Sequence, residues 1–172
     1  MTLVFDATPL IYLGKTDRLD AMVGLDRRLV LPSRVYEEVV EEGMKHGYAD
    51  AKRIDAVVRD GTIEQQSFEK NERFDQLVQS TPLSPADVAV VLLADELGGT
   101  AVMDEAYGRT IAETEDEETR GTAYLVLSRV KRGEIPPEDA RKVIEEMVDA
   151  GWHCSTDLYA KISRKLDEFS SQ

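Results

Sequence analysis

The stretch LVFDATPLI places a carboxylate, Asp6, directly after a short apolar run. A charge entering a protein interior must be capped, paired, solvated or bound to something. The event recurs in TAVMDE, where Asp104 and then Glu105 follow a second apolar run. In SPADVAVVLLADELG, Asp87 stands at helical spacings of three, four and seven from Val90, Val91 and Ala94, so it shares a face with apolar neighbours. In SRVYEEVVEE, Glu37 and Glu38 flank the apolar face almost symmetrically, and periodicity does not choose between them. Several carboxylates gathered at one place repel unless they are protonated or share a cation. Mg²⁺ or Mn²⁺ suits that role, because hard divalent ions take carboxylate and water oxygens. One such ion, or a pair roughly 4 Å apart, can activate water and stabilise the leaving oxygen in a displacement at phosphorus.

Each acid also has a plain structural reading. Asp6 can close an Asx turn and Asp104 can cap a following helix. SPAD is a capping box with Ser84 as N-cap, Pro85 at N1 and Asp87 at N3. The glutamates taken singly read as solvated helix charges. Only the joint arrangement points to chemistry.

The elements that must position these acids alternate along the chain. LVF reads as a buried strand and ATPLIYLG as a helix closed by Gly14, followed by a second helix in TDRLDAMVGL and a strand in RLVLP. A helix starts at Ser33 and stops at Gly43, another spans ADAKRIDAVVRDG, and TIEQQSF is a weak strand. A polar helix around RFDQLV, an apolar helix from SPAD and the strand TAVM follow. EDEETRGT leaves room for only a short last strand or none, and three helical segments complete the chain as a layer over about 121–169. Alternation of this kind predicts an α/β protein, a central parallel sheet with helices on both faces, and the carboxyl ends of its strands form the crevice where ligands bind.

With 172 residues, the chain is expected to form one domain. No apolar run approaches the roughly 18 residues of a membrane span, and the N-terminus lacks the pattern of a secretory signal, so a cytoplasmic location is expected. A single cysteine, Cys154, and two distant histidines exclude an intramolecular disulfide and a zinc ribbon. The 34 acidic against 21 basic residues give a net charge of −13, an unfavourable background for phosphate binding. No phosphate-cradling glycine motif is present.

VFDATPLIYLGK, LPSRVYEEVVEEG, LSPADVAVVLLADELGG and AVMDEAYGRTIAE, in that order and spacing, resemble the four motifs of the PIN-domain family, metal-dependent nucleases that include the VapC toxins. The tail GTAYLVLSRVKRGEIPPEDARKVIEEMVDAGWHCSTDLYAKI resembles a VapC-related prokaryotic subgroup. The resemblance implies a PIN-like three-layer α/β/α sandwich with a C-terminal helical layer. It places the family's catalytic and metal-binding acids on Asp6, Glu38, Asp87 and Asp104, choosing Glu38 over Glu37, with Glu105 as an auxiliary ligand and Thr8 orienting Asp6. It further implies Mg²⁺ or Mn²⁺, an RNA substrate cleaved by metal-activated water, a small antitoxin partner and a homodimer. Arg109, Arg120, Arg129, Lys131 and Arg132 are the candidate RNA-binding strip, although SRVKRG is equally a solvated helix end. The alternative is a PIN module that binds RNA with little turnover, which the net charge favours. FDAT superficially matches an aspartyl phosphatase motif, but Thr8 stands where that motif needs a second Asp.

Overall fold

The computed structural model describes residues 1–22, 25–104 and 118–172. Five parallel strands form the central sheet: β1 (Thr2–Phe5), β2 (Arg28–Pro32), β3 (Glu64–Gln66), β4 (Thr100–Val102) and β5 (Glu118–Arg120), in the order β3-β2-β1-β4-β5. Leu3, Val4 and Phe5 are consecutive and fully buried, so both faces of β1 are covered, as a parallel sheet requires. The order reverses direction at β1, where β2 lies on one side and β4 on the other. The crevice beyond the ends of β1 and β4 is therefore the switch point at which such sheets bind ligands.

Among the described residues the helices are α1 (Ala7–Lys15), α2 (Ser33–Tyr36), α3 (Gly43–Lys45), α4 (Ala49–Arg59), α5 (Glu72–Ser80) and α6 (Pro85–Glu96), then α7 (Thr122–Lys131), α8 (Pro137–Asp149) and α9 (Thr156–Ser170). Helix α6 is buried all round over Val88–Ala94 because it is packed on two sides. Val90, Val91, Leu93 and Ala94 enter the main core. Val88, Ala89 and Leu92 form a second cluster with Phe74 of α5 and Leu83. Helices α7, α8 and α9 pack on one another as the C-terminal layer, through Leu125, Ile144, Ile162 and Leu166 among others. Among the described residues no helix is long and apolar enough to cross a membrane.

Two local expectations are corrected. The helix expected in TDRLDAMVGL is a single 3₁₀ turn at Leu19–Ala21. Asp17 reverses the chain with φ of 56°, and Leu19, Ala21, Met22 and Leu25 are buried without helical repetition. The helix entering at Ser33 does not stop at Gly43, since a π-helical stretch, Glu37–Glu42, joins α2 to α3. Gly43 serves close packing instead, because a Cβ there would lie 2.8 Å from Cβ of Ala51, and the chain turns at Gly47 with φ of +74°. The last strand, expected to be short or absent, is short: the three residues of β5.

Gly99, between α6 and β4, is a second close approach: an added Cβ would stand 2.6 Å from the Thr2 carbonyl oxygen. That oxygen belongs to the central strand and cannot swing aside. Gly99→Ala is expected to cost about 1–3 kcal/mol, the usual range for overpacking, read as a fall in Tm of about 2–4 °C per kcal/mol for a chain of this size.

Candidate metal centre at the sheet switch point

Asp6 follows β1 at the crevice. Its backbone N–H donates to the Val102 carbonyl at 3.0 Å, extending the β1–β4 ladder by one residue and fixing the carboxylate beside the end of β4. Asp6 precedes α1 with extended backbone angles, yet its side chain makes no cap bond, so the turn-forming role does not account for it. It is only 4 % exposed. Burial first, then the neighbouring Asp87 charge, push its carboxyl from 3.8 up to about 8; the Ala7 amide opposes this, and Glu38 adds a smaller upward push. A carboxyl group in that setting takes up a proton or a cation.

Asp87 both caps its helix and faces the centre. Ser84 Oγ accepts the Asp87 N–H at 3.1 Å and Asp87 Oδ2 accepts the Ser84 N–H at 3.0 Å, the reciprocal capping box expected from SPAD. The same carboxyl faces Asp6, whose own carboxyl its charge raises. Helix α6 is locked between the sheet and α5, so the cap holds Asp87 against Asp6 rigidly.

Glu38 lies at the exposed rim, in the π-helical stretch. Partial burial, followed by the Asp87 charge, raises its carboxyl. Glu37, which periodicity ranked equally, is exposed beside it. A π-turn adds a residue to the helical repeat and redirects side chains, a distortion common at functional sites. Its entry is pinned by Tyr36, whose hydroxyl donates to Asp55 Oδ1 of α4 at 2.7 Å. The structure thus brings Asp6, Asp87 and Glu38 together.

Asp104 sits at the same sheet edge but is held toward the C-terminal layer. Its Oδ1 accepts the Thr122 N–H at 2.8 Å, and its Oδ2 accepts the Thr122 hydroxyl and the Trp152 indole N–H, the latter at 3.0 Å. The Cys154 thiol is raised by burial and by the Asp104 charge, which places that charge near the same layer. Among the described residues no three His, Cys, Asp or Glu side chains stand close enough to hold a metal ion in this arrangement. Glu105 and Arg109 lie outside the described residues.

The Thr8 hydroxyl makes no hydrogen bond among the described residues. Thr122 and Trp152 are the partners that sequence reasoning missed. The first carried a weak signal, a Thr directly after the Gly that precedes α7; the second carried none beyond being the only tryptophan. Of the basic strip, Arg129 is engaged by Asp20 at 2.9 Å and Glu134 at 3.1 Å, and Arg132 by Glu134 at 2.6 Å. Arg120 lies over the Tyr124 ring at 5.5 Å, and Lys131 makes no ion pair among the described residues.

The donor set fits a hard divalent cation. Asp6 and Asp87 supply the one or two carboxylates that Mg²⁺ typically takes from a protein, and the upward push on Asp6 is the mark of negative charge gathered in a buried place. Glu38 stands at the rim within the field of Asp87, but not close enough in this arrangement to make a third ligand.

A PIN-domain family model matches residues 2–168. No curated protein matches the sequence. Among solved structures the chain is similar to one described as VapBC-1 from nontypeable Haemophilus influenzae, with 16 % identity, a TM-score of 0.48, and coverage of 71 % of this chain and 98 % of that one. A family match over nearly the whole length, on a chain whose sheet order gathers acids at its switch point, makes this protein a member of the PIN-domain family.

Proposed function

We propose that the protein is a Mg²⁺- or Mn²⁺-dependent endoribonuclease, with Asp6 and Asp87 holding the cation and Glu38, Asp104 and Glu105 completing the acidic centre. The observation that carries this reading is the burial of Asp6 against Asp87, which raises its carboxyl to about 8. When bound, a divalent ion supplies Lewis acidity at the scissile phosphate and lowers the pKa of water. The chain's own residues do the positioning. Ser84 fixes Asp87, the Val102 carbonyl fixes the Asp6 backbone, and Thr122 with Trp152 fixes Asp104.

The test is cleavage of end-labelled single-stranded RNA, abolished by EDTA and restored by Mn²⁺ or Mg²⁺. No divalent-dependent cleavage across several unrelated RNAs would sink the nuclease reading. The second reading, a PIN module that binds RNA without turnover, is favoured by Asp104, whose oxygens are already taken by Thr122 and Trp152. A small neutralising antitoxin and a homodimer follow from the motif resemblance, and co-purification from the native host tests both.

Thr122→Val separates the two readings further, because it removes the hydroxyl on Asp104 while keeping the backbone N–H bond. If Asp104 acts at the centre, cleavage falls by about 10–100-fold, the usual cost of losing a partner that orients a metal-binding group. An unchanged rate would remove Asp104 from the reaction.

A further inference from the structure

Among the described residues the buried acids are Asp6, Asp50 and Asp55. Asp6 belongs to the candidate metal centre. Asp55 accepts the Tyr36 hydroxyl and pairs with Arg59, each at 2.7 Å. Asp50, in the first turn of α4, is 7 % exposed and makes no hydrogen bond or ion pair among the described residues. It is pressed against α1, where a Cβ added to Gly14 would stand 3.0 Å from Asp50 Cβ. The neighbouring cations are turned elsewhere. Arg53 donates to the Gly14 carbonyl at 2.8 Å and pairs with Asp17 at 3.6 Å, and Lys15 lies over the Tyr12 ring at 5.2 Å. A carboxylate taken out of water without a partner is costly, so its place in the fold calls for one.

Asp50 lines a cavity of about 250 Å³ between α1, the π-helical stretch and the start of α4. Ile11 and Val39 supply apolar wall, and the exposed carboxylates of Glu38 and Glu42 stand at its margin. His46 and Tyr48 complete the lining as a stacked pair, with ring centroids 5.5 Å apart and planes at 20°. His46 Nδ1–H donates to the Glu42 carbonyl at 2.8 Å, which leaves Nε2 as the acceptor of that ring. The three acids do not stand close enough together to hold a metal ion. A larger cation that meets them one at a time fits this lining. Asp50 answers its charge, the ring pair answers a flat or cationic head, and Ile11 with Val39 covers methylene groups.

We propose that this cavity is a binding site for a small organic cation, a guanidinium or ammonium head on a short methylene stem, with the head seated on Asp50 beside the His46–Tyr48 pair. Asp6 and Asp87 do not line it, so it is a second site, and it does not depend on the nuclease reading. The occupant supplies the charge that Asp50 lacks within its own chain.

The test is calorimetric titration of agmatine into the full chain in EDTA, with ionic strength held constant by NaCl. Agmatine carries a guanidinium and an ammonium on a four-carbon stem. Wild type binds it saturably. Asp50→Asn weakens binding on the order of 30-fold or more, as expected when one partner of a buried charge pair is removed. Tyr48 is exposed, so Tyr48→Ala probes the site without disturbing the core, and it weakens binding about two- to fivefold. Asp6→Asn binds agmatine as wild type does. Nα-acetylarginine amide, run in parallel, distinguishes the source of the head: tighter binding than agmatine assigns it to an arginine of a polypeptide, and weaker binding assigns it to a free cation, with Asp50 required in either case. Absent saturable binding by wild type, equal binding by Asp50→Asn, or an equal response to tetramethylammonium at matched ionic strength overturns the site. Loss of binding in Asp6→Asn also overturns it, because agmatine then sits at the metal centre.

Discussion

Asp6→Asn is expected to stabilise the cation-free protein at pH 8 while removing its response to divalent cations. Ionising Asp6 costs more in the folded chain than in the unfolded one, because burial and Asp87 raise its carboxyl from 3.8 to about 8. Between those values the folded state binds a proton that the unfolded state has released. Stability therefore falls as pH rises through this window. Glu38, raised by burial and by Asp87, acts in the same direction. The size of the Asp6 effect is on the order of a few kcal/mol at pH 8, since a tenfold change in proton affinity corresponds to about 1.4 kcal/mol. Asparagine has no charge to bury, so its Tm should exceed that of wild type by roughly 5 °C or more at pH 8 and differ little near pH 4. A saturating cation narrows the gap, since binding only the folded state at about 100 times Kd adds about 2.7 kcal/mol to wild type and nothing to the variant. Thermal melts of both proteins at the two pH values, with EDTA and with Mn²⁺, check the whole pattern. An Asp6→Asn protein less stable than wild type in EDTA at pH 8 would show that Asp6 is a structural group.

Asp87→Asn is expected to abolish divalent-dependent cleavage with little loss of stability, and the contrast with Asp87→Ala separates its two roles. Asparagine retains a side-chain oxygen that can accept the Ser84 N–H, so the capping box survives. It cannot supply the negative charge facing Asp6. The expected result is at least about 100-fold less cleavage, beyond the ~10–100-fold cost of disturbing a group that merely orients a ligand, with Tm close to wild type. Alanine loses the cap as well and should fall by about 1 kcal/mol. Equal cleavage by Asp87→Asn and wild type would reduce Asp87 to a helix cap.

Much of this arrangement was legible because strand ends and helix starts are local. The run LVF before Asp6 and TAV before Asp104 marked β1 and β4, and Ser84 with Asp87 marked the start of α6, all from spacing alone. The resemblance then chose Glu38, a choice periodicity left open and the π-helical stretch explains, because that stretch departs from the 3.6-residue repeat on which periodicity depends. The misreadings share a cause in tertiary packing. Gly43 looked like a helix stop, but its missing side chain serves the approach of Ala51, about which the local sequence is silent. The resemblance paired Thr8 with Asp6. The hydroxyl that orients an acid is Thr122, reaching Asp104 across 18 residues, joined there by Trp152 from 48 residues away. Of the basic strip, Arg129 and Arg132 are engaged by Glu134, a pairing that the residue types alone do not reveal.

Whether the acids at the β1–β4 switch point hold a divalent cation is decided by titrating Mn²⁺ into the full chain at pH 8 and following free Mn²⁺ by electron paramagnetic resonance. Wild type is expected to bind saturably, with competition by Mg²⁺, and that binding is expected to be lost in both Asp6→Asn and Asp87→Asn while each remains folded. Absent binding by wild type, or binding equal in all three proteins, would contradict a metal centre at Asp6 and Asp87.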